Sequence, residues 1–478
     1  MMRFFGILIA ATCAAASTQS ALAADLPVKA KPIDAGGYSW TGFYAGVNVG
    51  YGVGRDPSRL TNITNPAPGT LQINDAWHLD PEGAVGGIQA GYNYQMGRWV
   101  FGMETDIQAT AQKDFVCRFC SPASAFNAEQ KLPWFGTVRG RIGWAAGPIY
   151  SYFTGGLAYG QVETNVAIPI MGSPTVGAAT HETKAGWIYG SGIEAALAGN
   201  WTVKFEYLYM SLGSTVVPFF TSGSGASRTM FTSDIRDRIV RAGVNYRFGP
   251  TTGTGSATFS APTFANWTGF YAGGNGGYGL GRNSSALTVN APVAAAVFID
   301  QWKESPGGYV GGAQIGYGWQ TGQIVFGVET DIQGSGMKDS ACLAICGGSS
   351  INDVVEQKIK WFGTLRGRVG YAAGPALFYG TGGLAYGNVK TTLIESSPFF
   401  ALSGAASTSS TKTGWTVGAG AEAPIWGNWT AKTEYLYMDL GSTSLSMTSI
   451  GPLIGPVFHT LTSEVKAHVF RGGVNYHF

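Results

Sequence analysis

The segment WTGFYAGVNVGYG begins at Trp40 and returns as WTGFYAGGNGGYG at Trp267, while GVNYRF ending at Phe248 returns as GVNYHF ending at Phe478. WFGTVRGRIGWAAGP from Trp134 matches WFGTLRGRVGYAAGP from Trp361, and EYLYMSLGS from Glu206 matches EYLYMDLGS from Glu434. All these stations are displaced by about 225 to 230 residues, far beyond any solenoid period. The chain is therefore a duplication of a domain-sized unit, and whatever it does must be read once per copy.

Each copy is written in period two. In VFGMETDIQ, Phe101, Met103, Thr105 and Ile107 fall on one side and Gly102, Glu104, Asp106 and Gln108 on the other. In WTVKFEYLY, Trp201, Val203, Phe205, Tyr207 and Tyr209 oppose Thr202, Lys204 and Glu206. Such strands have one apolar and one polar face. The first copy holds eight of them, near residues 41–54, 84–94, 99–110, 130–145, 149–163, 183–197, 201–212 and 234–248. Short turns (95–98, 146–148, 198–200) alternate with polar stretches that read as long loops (55–81, 112–129, 165–181, 214–232), and the second copy repeats the turns at 320–323, 373–375 and 427–428.

That asymmetry, with an even strand number, predicts an all-β, antiparallel, up-and-down transmembrane barrel, its short turns and both ends periplasmic. Aromatics at strand ends, such as Trp40, Phe43, Trp201, Tyr246 and Phe248, suit the membrane interfaces. Charged residues make up only 12% of the chain, yet no apolar run after the N-terminus reaches the roughly 18 residues of a spanning helix. Glycine, at 72 residues, lets a small barrel curve and close.

The expected organisation is a signal peptide over residues 1–23, a periplasmic leader over 24–39, a first barrel over 40–248, a linker over 249–266 and a second barrel over 267–478. Arg3, the apolar stretch after it and the small-x-small Ala21-Leu22-Ala23 carry the export reading. The charge-free linker is longer than a periplasmic turn requires, which favours two eight-stranded barrels over one sixteen-stranded barrel.

The polar faces converge on one constellation. In the first copy Glu104, Asp106, Glu194 and Glu206 face inward with Arg139, Arg141, Lys204 and Arg241; in the second, Glu329, Asp331, Glu422 and Glu434 do so with Arg366, Arg368, Lys432 and Arg471. An eight-stranded interior is just wide enough to be filled by side chains, and unpaired charge there is costly. The balanced signs read as a plugged lumen, with a conducting path lined by the same residues as the alternative.

Cys117 and Cys120, and Cys342 and Cys346, form close pairs at matching places. In an exported chain this spacing favours a disulfide in each copy; metal is the alternative, without a nearby histidine. The five histidines do not repeat between copies, and no nucleophile–base pair or phosphate loop stands out, so neither enzyme activity nor a cofactor or metal is expected. A net charge of +2 gives no footprint for nucleic acid.

Together GMETDIQ, WFGTVRGRIG, GGLAYG, EYLYMSLG and the closing GVNYRF, after an ADLPVKA leader, resemble the porin-like outer-membrane barrel proteins of alpha-proteobacteria, within the class of small eight-stranded opacity-type barrels. The resemblance implies residence in the bacterial outer membrane among its lipid and lipopolysaccharide, and roles in envelope integrity, surface contact or modest permeability. It also implies insertion by the barrel assembly machinery through a C-terminal aromatic signal, here Val474, Tyr476 and Phe478. A wide sixteen-stranded diffusion porin and an adhesin acting through its loops are the competing functions. Replacing Phe478 by Ala should lower outer-membrane levels of the assembled protein in a fractionation assay; normal levels would remove the signal from this residue.

Overall fold

The period-two pattern becomes strand over nearly every described residue. The computed structural model describes residues 38–63, 74–121, 124–170, 173–221, 227–249, 266–294, 296–343, 352–397, 402–452 and 455–478. The expected signal peptide, most of the leader and nearly all of the linker lie outside them.

The first repeat runs β1 (Gly42–Gly54), β2 (Asp56–Ile63), β3 (Asn74–Leu79), β4 (Glu82–Met96), β5 (Trp99–Ser121), β6 (Ser124–Ala146), β7 (Ile149–Ile170), β8 (Ser173–Ala198), β9 (Trp201–Thr221) and β10 (Ser227–Phe248). The second repeats this plan as β11 (Gly269–Gly281), β12 (Asn283–Ala291), β13 (Ala296–Glu304), β14 (Gly307–Thr321), β15 (Ile324–Leu343), β16 (Asn352–Ala373), β17 (Ala376–Ser397), β18 (Leu402–Trp426), β19 (Trp429–Gly451) and β20 (Gly455–His477).

In each repeat eight strands pair antiparallel with their neighbours and the last closes onto the first. β10 returns to β1 with Val244 opposite Val47, and β20 returns to β11 with Val474 opposite Gly274. One sixteen-stranded barrel would need β10 to pair with β11. Both edges of β10's membrane half are already taken, by β9 and β1, and both edges of β11 by β14 and β20, so the chain forms two closed rings.

Two expectations need correction. The stretch 55–81, expected as loop, holds the β2–β3 hairpin; β2 pairs Ser58–Ile63 with Ser233–Arg228 of β10, along the part of β10 that extends past the end of β1. The stretches 112–129, 165–181 and 214–232 are strand for most of their length, with β5 and β6 still paired at Arg118 and Phe126. The reason is alternation carried past the membrane: Val116, Ala128, Val166 and Val217 turn inward and bury with Leu60, Trp77, Leu79 and Phe231. A paired hairpin also satisfies the backbone groups that an irregular loop would leave to solvent. With 23 residues, β5 rises roughly 75 Å at about 3.3 Å per residue, against an apolar band about 25 Å tall.

At the opposite end the connections are two-residue turns. Gly97, Gly147 and Gly199 take φ of 59°, 61° and 55°, and Gly322, Gly374 and Gly427 take 61°, 59° and 51°, the left-handed backbone that glycine adopts without strain.

The outer wall shows how the bilayer is met. On β6 the outward Trp144 and Trp134 stand ten residues apart, the length of one membrane crossing. Trp144 packs edge-on to Trp99 at the turn end, where Trp201 meets Tyr246; Trp134 packs on Tyr159 at the far end, near the stack of Trp187, Tyr189 and Tyr209. Between these girdles lie exposed aliphatics such as Val47 (59%) and Leu157 (67%). Leu157→Arg, which places a cation on that band, should cost about 2–4 kcal/mol in a urea titration of the vesicle-embedded protein, whereas Leu157→Ala should cost much less. Equal costs would show that this wall does not face lipid.

Candidate functional site

Strand pairing sets most of the inward charges against one another. Glu104 lies directly opposite Arg139, Glu194 opposite Lys204, and Glu206 opposite Arg241. Opposite-charge cross-strand pairs are mutually stabilising. Closing the ring then brings the pairs into one layer.

Arg139 is the hub. Its guanidinium reaches Glu104, Asp106 at 3.0 Å and Glu206 at 3.4 Å, while Nε donates to Thr137 Oγ1 at 3.0 Å. Arg241 holds Asp106 at 2.9 Å and Glu206 at 2.7 Å; Arg141 holds Glu104 at 3.2 Å and Glu194 at 2.7 Å; Lys204 lies 2.9 Å from Glu104 and 3.2 Å from Glu206. None of these side chains exceeds 1% exposure.

The second barrel repeats the layer. Arg366 binds Glu329, Asp331 at 3.0 Å and Glu434 at 3.0 Å; Arg471 binds Asp331 at 2.7 Å and Glu434 at 2.5 Å. Arg368 bridges Glu329 (3.1 Å) and Glu422 (2.9 Å), and Lys432 lies 3.0 Å from Glu329 and 3.9 Å from Glu434. All sixteen residues singled out from the sequence thus lie in the two lumens, eight to each.

Space for such long side chains comes from glycine. Across the ladder, Gly91 faces Glu104, Gly156 faces Arg139, Gly192 faces Glu206 and Gly50 faces Arg241. Small barrels fill their interiors by alternating small and large inward residues in this way.

The sequence reading missed the neutral partners that complete the layer. Tyr44 donates its hydroxyl proton to Glu104 at 2.9 Å and Tyr152 to Glu206 at 2.7 Å; in the second barrel Tyr271 and Tyr379 do the same to Glu329 (2.9 Å) and Glu434 (3.0 Å). Arg141 also stacks 3.9 Å over the Tyr152 ring, as Arg368 does over Tyr379. Toward the turn end, Asn48 donates to Gln89, Gln89 to Asn245 and Asn245 to Glu194, at 3.0, 2.6 and 2.8 Å. Tyr44 shares the parity of the inward Asn48 on β1, and Tyr152 that of the inward Thr154 on β7, so their inward direction was legible; that a phenol would be the donor was not.

The inward face is also not polar throughout, as the sequence reading had it. Above the charges lies an apolar layer that includes Phe135, Ile188, Leu208 and Met210, and below them Trp40, Val100, Ala145, Tyr150 and Tyr152 close the periplasmic mouth. Leu208 and Met210 continue the parity of Lys204 and Glu206. The charge layer is therefore sandwiched between apolar layers, which keeps it out of water.

Cys117 and Cys120 lie near the outer end of β5, and Cys342 near that of β15; the side chains of Cys120 and Cys342, and all of Cys346, are outside the described residues. Val474, Tyr476 and Phe478 face outward at the end of β20, Phe478 being 76% exposed and packed edge-on to Tyr476. Among the described residues no group of three or more His, Cys, Asp or Glu side chains is placed to hold a metal ion. At the far ends of the barrels, a cleft of about 540 Å³ is lined by Trp77, His78, Asp234, Trp302, Lys303 and Asp339.

The chain is similar to several known proteins. The 31 kDa outer-membrane immunogenic protein of Brucella melitensis is 41% identical over 231 residues, covering 46% of this chain and 89% of its own length. The 22 kDa outer membrane protein of Rhizobium leguminosarum is 38% identical over 184 residues, covering 38% of this chain and 69% of its own. Among solved structures, Neisserial surface protein A is matched over 44% of this chain and 98% of its own, at 13% identity and a TM-score of 0.21. A sequence model of the outer membrane protein beta-barrel domain matches residues 7–248 and again 254–478. The chain thus belongs to the outer membrane beta-barrel domain family, carries that domain twice in tandem, and is an outer-membrane protein.

Proposed function

We propose that the protein serves the outer membrane as a pair of plugged barrels with a structural role in the envelope, and that it neither catalyses a reaction nor conducts solutes freely. The observation that carries this is the charge layer: every acid and base in it is engaged by an opposite charge, and its side chains are buried in a ring whose interior they fill. The carboxylates of Glu104 and Asp106 are spaced for acid–base work. They are instead shared among Arg139, Arg141, Lys204 and Arg241, which leaves no proton acceptor facing a substrate.

Export through an N-terminal signal peptide, delivery by the barrel assembly machinery through Val474, Tyr476 and Phe478, and contact with lipid and lipopolysaccharide belong to this reading. The test is conductance of the refolded protein in a planar bilayer. Silence or brief small flickers are expected; large, stable, ohmic steps would overturn the plug.

A second reading, binding at the cell surface, is favoured by the cleft between Trp77 and Trp302, which lies beyond the membrane band. Deleting the β2–β3 hairpin should abolish any surface binding that depends on it, and unchanged binding would end this reading.

A further inference from the structure

Most outward apolar side chains are open to lipid, but one wall of each barrel is not. Val53 (0%), Ile149 (2%), Ile193 (8%), Phe205 (5%) and Val240 (8%) point out of the first ring and are nonetheless buried. The same holds for Leu280 (0%), Ala376 (0%), Ala421 (0%) and Phe470 (6%) of the second. These residues form a single apolar cluster, so the two walls cover each other.

The walls correspond. Val53 and Leu280 are the same position of the repeat, as are Ile149 and Ala376, Ile193 and Ala421, and Val240 and Phe470. Two further contacts are reciprocal. Tyr51 of the first barrel stacks on His468 of the second at 6.1 Å, while Tyr278 of the second receives Arg238 of the first at 5.1 Å. Tyr51 is the counterpart of Tyr278, and Arg238 of His468. Contacts of the form i to j and j to i mark an isologous interface, with a twofold axis between the partners.

The barrels also stand the same way up. At the turn end, a Cβ on Gly374 would lie 3.7 Å from Pro148, and at the far end Arg282 meets Asp80 at 3.1 Å and Arg55 meets Asp339 at 3.5 Å.

We propose that this chain is a fused dimer: the wall formed by β1 and β7 to β10 is a homotypic docking surface, and its partner is the equivalent wall of a second copy of the same barrel, supplied here by the duplication. The wall's chemistry supports that occupant over lipid. Arg238 and His468 face outward on transmembrane strands, where charge and polarity are disfavoured, and each is covered by a tyrosine from the other repeat; His468 also lies 3.3 Å from Glu82 of the first barrel. Alanines at 376, 421 and 423 on the second wall leave room for Ile149, Ile193 and Phe205 on the first. The linker then sets the local concentration of the two walls rather than creating their affinity.

The experiment uses the full chain with a site-specific protease sequence placed within residues 250–265. The protein is folded, cut, and run on size exclusion in mild detergent. The two halves should co-elute at the position of the uncut chain. Ala376→Trp with Ala421→Trp adds apolar bulk that lipid accepts and the seam cannot; the cut variant should release its halves as separate folded barrels, whereas Leu157→Trp with Leu384→Trp, on open walls, should not. Halves of the cut parent that run apart, or co-elution unchanged by the seam tryptophans, would overturn the proposal. If the seam variant does not fold, Tyr51→Cys with His468→Cys decides instead: a short bis-maleimide should join the cut halves on a denaturing gel, and unjoined halves would overturn it.

Discussion

Arg139→Ala should unfold the first barrel well before the second. The guanidinium is the shared counter-charge of Glu104, Asp106 and Glu206, and it is fully buried. Removing it leaves three carboxylates to the remaining cations in a space that water enters poorly. Breaking a buried ion pair from one side costs about 3–5 kcal/mol, because the surviving charge loses its compensation. The expected result is a urea transition that splits, with the first repeat melting early and the second, held by Arg366, keeping its midpoint. Site-specific fluorophores on β7 and β17 would report the two rings separately, since one melting curve for a two-domain chain does not give a single stability. Adding Glu104→Gln to Arg139→Ala should recover part of the loss, and that non-additivity measures the coupling. A single unchanged transition would mean that water fills the lumen and that the charges are not a plug.

Gly156→Val should prevent closure of the first ring altogether. Gly156 lies opposite Arg139, and a Cβ there would run into the Val138 carbonyl oxygen and sit 2.8 Å from the Arg139 Cα. Those are backbone atoms of the neighbouring strand, which a rotamer change cannot move. Gly383 has the same relation to Leu365 and Arg366. The expected outcome is loss of the compact, heat-modifiable form of the first repeat on a cold SDS gel and its degradation in cells. Gly140→Ala, where the nearest atom would be 3.8 Å away, should be tolerated. Equal behaviour of the two variants would show that inward glycines are not what lets the wall coil around the arginine.

The pairing of these two residues also shows how much was legible in advance. Parity alone placed Arg139 inward, because Arg139 and Arg141 are two apart on a strand whose other face carries Val138 and Ile142. The same parity held for all sixteen lumenal charges, since a strand offers only two directions and the lipid face cannot take a charge. It would also have placed Leu208 and Met210 inward above Lys204 and Glu206, but a search for charge passes over an apolar continuation. Polarity misled in the stretches 112–129, 165–181 and 214–232: threonines, serines and charges look like loop, yet Val116, Ala128, Val166 and Val217 recur on the inward face, and the strands described there carry the ring upward.

The duplication, the strand number, the inward charges and the short turns are local properties, set by period two and by glycine at turns, and the sequence by itself determined them. Tertiary structure decided the rest. Whether eight or sixteen strands close depends on which edges pair, and an edge's hydrogen-bonding groups carry no label for their partner. Which tyrosine meets which carboxylate depends on the stagger of the closed ring. Which outward wall meets lipid and which meets the other barrel depends on matching two surfaces across space, because Val53 and Leu157 are both outward aliphatics in the sequence and differ only in what stands in front of them.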